Sequence, residues 1–172
     1  MRSRIVGVAV IGAFWNGPAA AQLPDARESL AGLGGVQVVV ENLQPGAEHF
    51  GLTKDILTTD IEGRLRQAGI RVFSDAEATS SVMFLPRFYV FVGTVPGNGP
   101  LTNLYILGLR AELHQRLLSP ITKQMVSSIT LQSEATGYIG ADHLTEDVRR
   151  SLAVFTDAFI NDFLAANPPK PR

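Results

Sequence analysis

The stretch LYILGLRAELHQRLLSP, residues 104 to 120, decides how this chain folds. Tyr105, Leu107, Leu109, Ala111 and Leu113 share one parity, and Arg110, Glu112, His114 and Arg116 share the other. Side chains on a strand alternate between two faces, so the pattern is a strand with one apolar and one wet side. A sheet with a solvated face is antiparallel in character. The flanking segments PGNGP (96–100) and SPITK (119–123) carry turn chemistry. They connect two further β-type runs, Val82 to Val95 and Gln124 to Thr136. All three runs exceed the usual strand of about 5–6 residues, so bends or bulges are expected near Pro86, Gly93 or Gly108.

Upstream, VQVVVENL (36–43) reads as a buried strand bounded by Gly34-Gly35 and Pro45-Gly46. In LTKDILTTDIEGRLRQAG (52–69), Thr53 can cap a helix and Leu57, Ile61, Leu65 and Ala68 form an apolar stripe. Gly69 is a natural stop. IRVFS (70–74) then reads as a short strand, closing a β-α-β unit. Downstream, LTEDVRRSLAVFTDAFINDFLAAN (144–167) is an amphipathic helix with Thr145 as cap and Val148, Leu152, Phe155, Phe159 and Phe163 as its stripe. The expected order is β-α-β-β-β-β-α. It defines an α+β fold, a two-layer α/β sandwich with two helices on one face of a mostly antiparallel sheet.

The faces follow from register. The SPITK turn is expected to set Leu118 near Gln124, Leu113 against Ile129 and Ala111 against Leu131. The outer face then collects Arg110, Glu112, His114, Ser128, Thr130, Gln132 and Glu134. In the first long run Arg87 avoids the core, which sends Phe84, Phe88, Val90 and Val92 inward. Leu85, Tyr89 and Phe91 are left outside with Ile106, rimmed by Arg87 and Arg110. An apolar patch of this kind marks a binding surface, and these six residues are the candidate partner site. The expected occupant is an envelope protein or a second copy of the chain.

The N-terminal stretch MRSRIVGVAVIGAFWNGPAAAQLP has a basic start at Arg2 and Arg4, an apolar run from Ile5 to Trp15 and an A-x-A site at Ala19 to Ala21. That is the pattern of a secretory signal peptide cleaved after Ala21. The apolar run falls short of the roughly 20 residues a membrane span needs. The expected organisation is signal peptide 1–21, a flexible segment 22–35, one domain 36–167 and a Pro-rich tail 168–172. No stable membrane span is expected after cleavage, and the protein is expected in the periplasm.

Cleavage removes Arg2 and Arg4 and moves the net charge from −1 to −3. A mildly acidic domain lacks the clustered Lys and Arg that phosphate contacts require, so no nucleic-acid partner is expected. The chain has no cysteine, which excludes disulfides, thiolate metal sites and lipid attachment at a lipobox.

Catalytic motifs are not found. His49, His114 and His143 have no His or Cys at metal-ligand spacing. There is no G-x-S-x-G, no Walker A loop and no G-x-G-x-x-G. The reading is therefore a non-enzymatic interaction module with no cofactor and no metal. Two alternatives stand beside it. One is a small-ligand carrier using a cavity between helices and sheet, motivated by Phe84, Phe88, Phe155 and Phe159. The other is a hydrolase using His114 with Glu112 or Glu134.

The element order, the signal peptide and the closing Phe159…Phe163-Leu164…Asn167-Pro168 resemble short exported bacterial proteins and small envelope modules such as the N-terminal domain of TolB and the lipopolysaccharide-assembly lipoprotein. The resemblance covers about residues 36 to 167 and is one of topology. It implies a module that binds other proteins or envelope components. The chain departs from the lipoproteins in lacking the lipobox Cys and from TolB in lacking a propeller, and no functional residue is carried over.

Overall fold

A computed structural model describes residues 24–43, 45–48, 50–80, 84–98 and 103–168. The expected signal peptide, His49, Val82 and Met83 lie outside these residues. Four strands form one sheet in the order β1-β2-β3-β4: β1 Gln37–Val40, β2 Arg87–Pro96, β3 Leu104–Leu118 and β4 Met125–Gly140. β1 runs parallel to β2, and the other two pairings are antiparallel. The helices are α1 Pro24–Glu28, α2 Pro45–Glu48, α3 Lys54–Gln67, α4 Asp75–Ser80 and α5 Leu144–Ala166. The fold is α+β, with α3 and α5 packed against one face of the sheet.

Local chemistry sets both long helices. The Thr53 hydroxyl accepts from the Ile56 N–H at 3.2 Å, and α3 buries Leu57, Ile61 and Leu65. Gly69 ends it at φ +80°, a conformation that favours glycine. α5 buries Leu144, Val148, Leu152, Thr156, Phe159 and Phe163. Thr145, expected as its cap, instead donates its hydroxyl to the Phe50 carbonyl at 2.7 Å, and His143 stands at the N-cap without a side-chain bond. Between the layers the Phe88 and Phe159 rings meet at 4.9 Å. Phe84 lies outside this core, with the Arg87 guanidinium 4.7 Å above its ring.

The IRVFS segment contributes one parallel bridge, Val36 to Val72, in place of the expected strand. The Val36 N–H donates to the Arg71 carbonyl at 3.0 Å and the Phe73 N–H to the Val36 carbonyl at 2.9 Å. The chain then turns into α4 through a capping box. Ser74 N–H and hydroxyl donate to Glu77 at 2.8 and 2.9 Å, and Glu77 N–H returns to the Ser74 hydroxyl at 3.3 Å. The helix start ends the extended run. β1 thereby takes β2 as its parallel partner, across a longer helical crossover.

The residues before β1 are also part of the fold. Leu30 is fully buried, Arg27 binds Asp162, and the Asn167 side chain bridges Gly32, Leu30 and Phe163. The stretch 24–35, expected as a flexible lead-in, is sewn to the end of α5.

The β3–β4 register departs from expectation by one residue twice. The turn ends with Ser119 N–H donating to Gln124 O at 2.8 Å and Lys123 at φ 58°, which pairs Leu118 with Met125. A one-residue slip sends every side chain to the opposite face. His114 accordingly faces Ile129, and Ser128 points to the helix side. A β-bulge at Thr130, between the Leu113 and His114 pairings, adds the second residue. Leu113 then meets Leu131, Ala111 meets Ser133, and Gln132 and Glu134 return to the outer face. Thr130 itself accepts from buried Gln115 at 2.7 Å on the helix side. Of the expected bend sites, Pro86 precedes β2, and Gly93 and Gly108 pair with each other without a register shift.

Two outcomes follow. Gly35 has φ +152°, and a Cβ there would stand 2.4 Å from the Arg71 carbonyl oxygen, whereas one on Gly34 would meet nothing within 4 Å. Gly35→Ala should lower stability to urea by about 2 kcal/mol or more, with Gly34→Ala within about 0.5 kcal/mol. The Glu77 carboxyl is held down from 4.5 to about 2, first by the Ser74 N–H and then by the Arg71 guanidinium and Ser74 hydroxyl. Because the folded value is depressed, its contribution is complete above pH 4.5 and is lost as pH falls towards about 2. Carboxyl NMR should give that midpoint, and Ser74→Ala should raise it.

Candidate functional site on the outer sheet face

The face of the sheet away from α3 and α5 is built by alternation along β2 and β3. Arg87, Tyr89 and Phe91 stand directly opposite His114, Glu112 and Arg110. The six side chains interlock. The Tyr89 and His114 rings are 4.4 Å apart, Tyr89 and Phe91 stack at 6.2 Å, and the Arg110 guanidinium lies 4.5 Å over the Phe91 ring. Arg87 donates to the Tyr89 hydroxyl at 3.3 Å.

Glu112 pins this arrangement. One carboxylate oxygen binds Arg110 Nε at 2.9 Å and the other binds His114 Nε2 at 2.8 Å. Its side chain is only 6% exposed, although it projects from the uncovered face, because the neighbouring rings and guanidinium close over it. A buried carboxylate requires hydrogen-bonding or charged partners, and here the Arg110 guanidinium and the His114 ring, each two positions away on the same strand, supply them. Arg110 and His114 are thereby both tied to Glu112.

The structure places five of the six sequence-selected residues on this face, in two groups. Arg87, Tyr89, Phe91 and Arg110 are contiguous. Ile106 lies farther along, opposite Val95 on one side and Tyr138 on the other. Between the groups Gly93 faces Gly108, and Thr136 follows on β4. The glycine pair leaves a furrow without side chains, walled by Phe91 and Arg110 at one end and by Val95, Ile106 and Tyr138 at the other. Leu85 precedes β2 and is half-buried. Tyr89 and Phe91 are also half-buried rather than open, since they cover one another.

Sequence reasoning missed Tyr138, which is 73% exposed, and Ile129 and Val95, which are also open. Ile129 sits where the face depends on the bulge, and Tyr138 lies beyond Thr136, where the expected strand ends, on a β4 that runs to Gly140. Val95 was within reach, since it has the parity of Tyr89 and Phe91. The Glu112–His114 pair named for a hydrolase is formed, but Glu134 pairs across from Arg110 and accepts from Gln132. His143 and Asp142 are both exposed, 3.6 Å apart.

A separate open groove of about 790 Å³ runs between α3 and α5 on the other side of the molecule. It is lined by helix and loop residues and laced by Arg149–Asp60 at 2.6 Å, with Arg64–Asp157 at 3.0 Å beside it. Phe88 and Phe159 fill the space between helices and sheet, where a carrier cavity would have to lie.

The fold and this face define an α+β domain with a half-covered sheet and an aromatic–arginine surface. No protein-family model and no curated protein matches the sequence. Among solved structures, the chain is similar to a minor lipoprotein from Acinetobacter baumannii, with 14% identity, 78% of this chain and 87% of that chain covered, and a TM-score of 0.33. It is also similar to the PelC dodecamer from Paraburkholderia phytofirmans in two crystal forms. One has 17% identity, coverage of 78% and 88%, and a TM-score of 0.33. The other has 17% identity, coverage of 79% and 88%, and a TM-score of 0.29.

The pin has a measurable strength. In a double-mutant cycle on unfolding, Arg110→Ala and Glu112→Ala should couple by about 1–2 kcal/mol, because one partner is buried. The exposed Arg150–Glu146 pair, with side chains 58% and 73% open, should couple by at most about 0.5 kcal/mol.

Proposed function

We propose that this chain is a non-enzymatic interaction module of the bacterial envelope, exported to the periplasm, which binds a protein partner through Arg87, Tyr89, Phe91 and Arg110. The observation that carries the reading is the interlocked aromatic–arginine ladder on a sheet face that none of the described helices covers. Tyr and Arg dominate the binding energy of interfaces, aromatics are enriched there, and rigid side chains lose little entropy on docking. The glycine furrow beside the ladder offers a seat for a projecting side chain. Glu112 is engaged on both oxygens by Arg110 and His114, which favours a structural pin over a general base. Export is supported by the N-terminal basic, apolar and A-x-A pattern. Among the described residues no helix is long and apolar enough to cross a membrane.

Photo-crosslinking from position 89 in living cells tests the surface. The expected result is one discrete protein adduct, weakened at least tenfold by Phe91→Ser or Arg110→Ala. The absence of any adduct from position 89 would remove the face from consideration as a binding surface. Edman sequencing of the processed chain should begin at Gln22; retention of Met1 would overturn cleavage.

A further inference from the structure

β2 starts at Arg87, opposite His114. Beyond that pair β3 and β4 continue together, Gln115–Leu118 against Met125–Ser128, and among the described residues no third strand joins them. The turn at the end of this ribbon is hydrogen-bonded. Ser119 N–H donates to the Gln124 carbonyl at 2.8 Å, Lys123 N–H to the Ser119 carbonyl at 2.9 Å, and Thr122 N–H to the Ser119 hydroxyl at 3.2 Å. Ile121 stands at the apex, 90% exposed. Near the sheet the ribbon's pairs are polar, Gln115 with Ser128 and Arg116 with Ser127. Towards the apex they are apolar on both sides: Leu117 pairs with Val126 on one face and Leu118 with Met125 on the other, and all four stand open. From Leu113 to Ser133 the chain has no Asp or Glu, whereas Arg116 and Lys123 flank the apolar end. Setting aside Arg2, Arg4, Arg116 and Lys123 leaves 11 of the 15 basic residues against 16 acidic ones, so positive charge is concentrated on the arm of an otherwise acidic domain.

We propose that the hairpin of residues 115–128 is a membrane-docking arm, which seats Leu117, Leu118, Ile121, Met125 and Val126 in the headgroup region of an anionic bilayer. The distribution of apolar side chains selects this occupant. A protein groove or a second sheet would cover one side of the ribbon and leave the other in water. A lipid surface surrounds both sides and the apex at once, and takes all five side chains out of water. Arg116 and Lys123 then lay their aliphatic stems along the apolar end and reach the lipid phosphates with their charged heads. The depth is limited by the backbone. The outer edges of a two-stranded ribbon are unpaired, and unpaired backbone is not tolerated in the hydrocarbon core. Two apolar residue pairs at about 3.4 Å per residue, with the turn beyond them, match the roughly 5–10 Å to which interfacial segments sink. The polar pairs Gln115–Ser128 and Arg116–Ser127 mark where the ribbon leaves the membrane. The arm is separate from the Tyr89–Phe91 ladder, and the proposal does not rest on it.

The chain has no native cysteine, so in the full chain Ile121→Cys can carry an environment-sensitive dye at the apex, with Val154→Cys on α5 as the reference position. Vesicles of phosphatidylglycerol and phosphatidylcholine should shift the emission from position 121 to the blue and shield it from acrylamide, and leave position 154 unchanged. The label reads the arm itself, whatever residues 1–21 do. Vesicles of phosphatidylcholine alone should need a lipid concentration about tenfold higher or more for the same response, as should Arg116→Ser/Lys123→Ser on the anionic vesicles. Leu118→Ser/Met125→Ser should weaken the response by about tenfold or more, and Tyr89→Ser/Phe91→Ser should leave it intact. A dye at position 121 that stays in water beside anionic vesicles overturns the proposal. So does equal binding to both kinds of vesicle. A dye already shielded before lipid is added, in a chain that sediments as a dimer, also overturns it and gives the arm to a second copy. If a serine variant does not fold, the comparison of the two vesicles decides.

Discussion

Thr130 is one residue more than β4 needs to match β3, and the sheet depends on it. The 119–124 turn closes one residue out of step with the apolar pattern that follows it. Without a second shift, Leu131 would face solvent and Gln132 and Glu134 would face the helices. Burying two polar side chains and exposing a leucine would cost several kcal/mol. The bulge absorbs the mismatch by leaving Thr130 unpaired in the ladder. Its hydroxyl is then taken by Gln115, which in turn reaches Ser29 beside α1 at 3.2 Å. An irregularity in the sheet thereby anchors the N-terminal segment that α5 also holds.

The same register assembles the outer face. Glu112 can be buried there only because Arg110 and His114 lie on its side of the same strand, two residues away in each direction. Tyr89 and Phe91 lie opposite because β2 and β3 pair without a shift. The aromatic row would be a liability on an uncovered sheet. Stacking of Arg110 on Phe91 covers part of it while the Arg110 side chain stays nearly half open to water, and Arg87 stacks on Phe84 beside it. The result is a surface whose aromatic and charged side chains contact one another, rather than a loose exposed patch.

Alternation in residues 104–118 was enough to read the layer order and the inward and outward rows of β2 and β3. Helix stripes were equally legible, because Leu57, Ile61 and Leu65 recur at the period of the helix. What escaped depended on contacts distant in sequence. IRVFS has strand composition, but the Ser74–Glu77 box starts a helix and leaves it one bridge. Thr145 has capping chemistry, but the Phe50 carbonyl competes for its hydroxyl. Phe84 has core composition, but it lies beyond the end of the pairing. The bulge has no local signal, since Thr130 is an ordinary strand residue. Its position is fixed only by the difference between turn length and apolar parity. Every error about Ser128, Ile129 and Thr130 follows from that one residue. The site was legible where no bulge intervened; Ile129 was hidden by the bulge, and Tyr138 by lying beyond Thr136, where the expected strand ends.

The two sides of the molecule differ in a way that bears on its role. The helix layer faces water with paired charges: Arg149 on Asp60, Arg64 on Asp157, and Arg150 on Glu146 and Asp147. Such a surface is satisfied within its own chain and offers an incoming partner little, because breaking these pairs offsets what new contacts would contribute. The sheet side is built oppositely. Its charges are gathered inward around Glu112, and its periphery is left to Val95, Ile106, Ile129 and Tyr138. Open apolar side chains are more numerous on the strands than on the two long helices, where Ile56, Val154 and Leu164 stand open. Association of this domain is therefore expected to involve the strands while α3 and α5 remain in solvent.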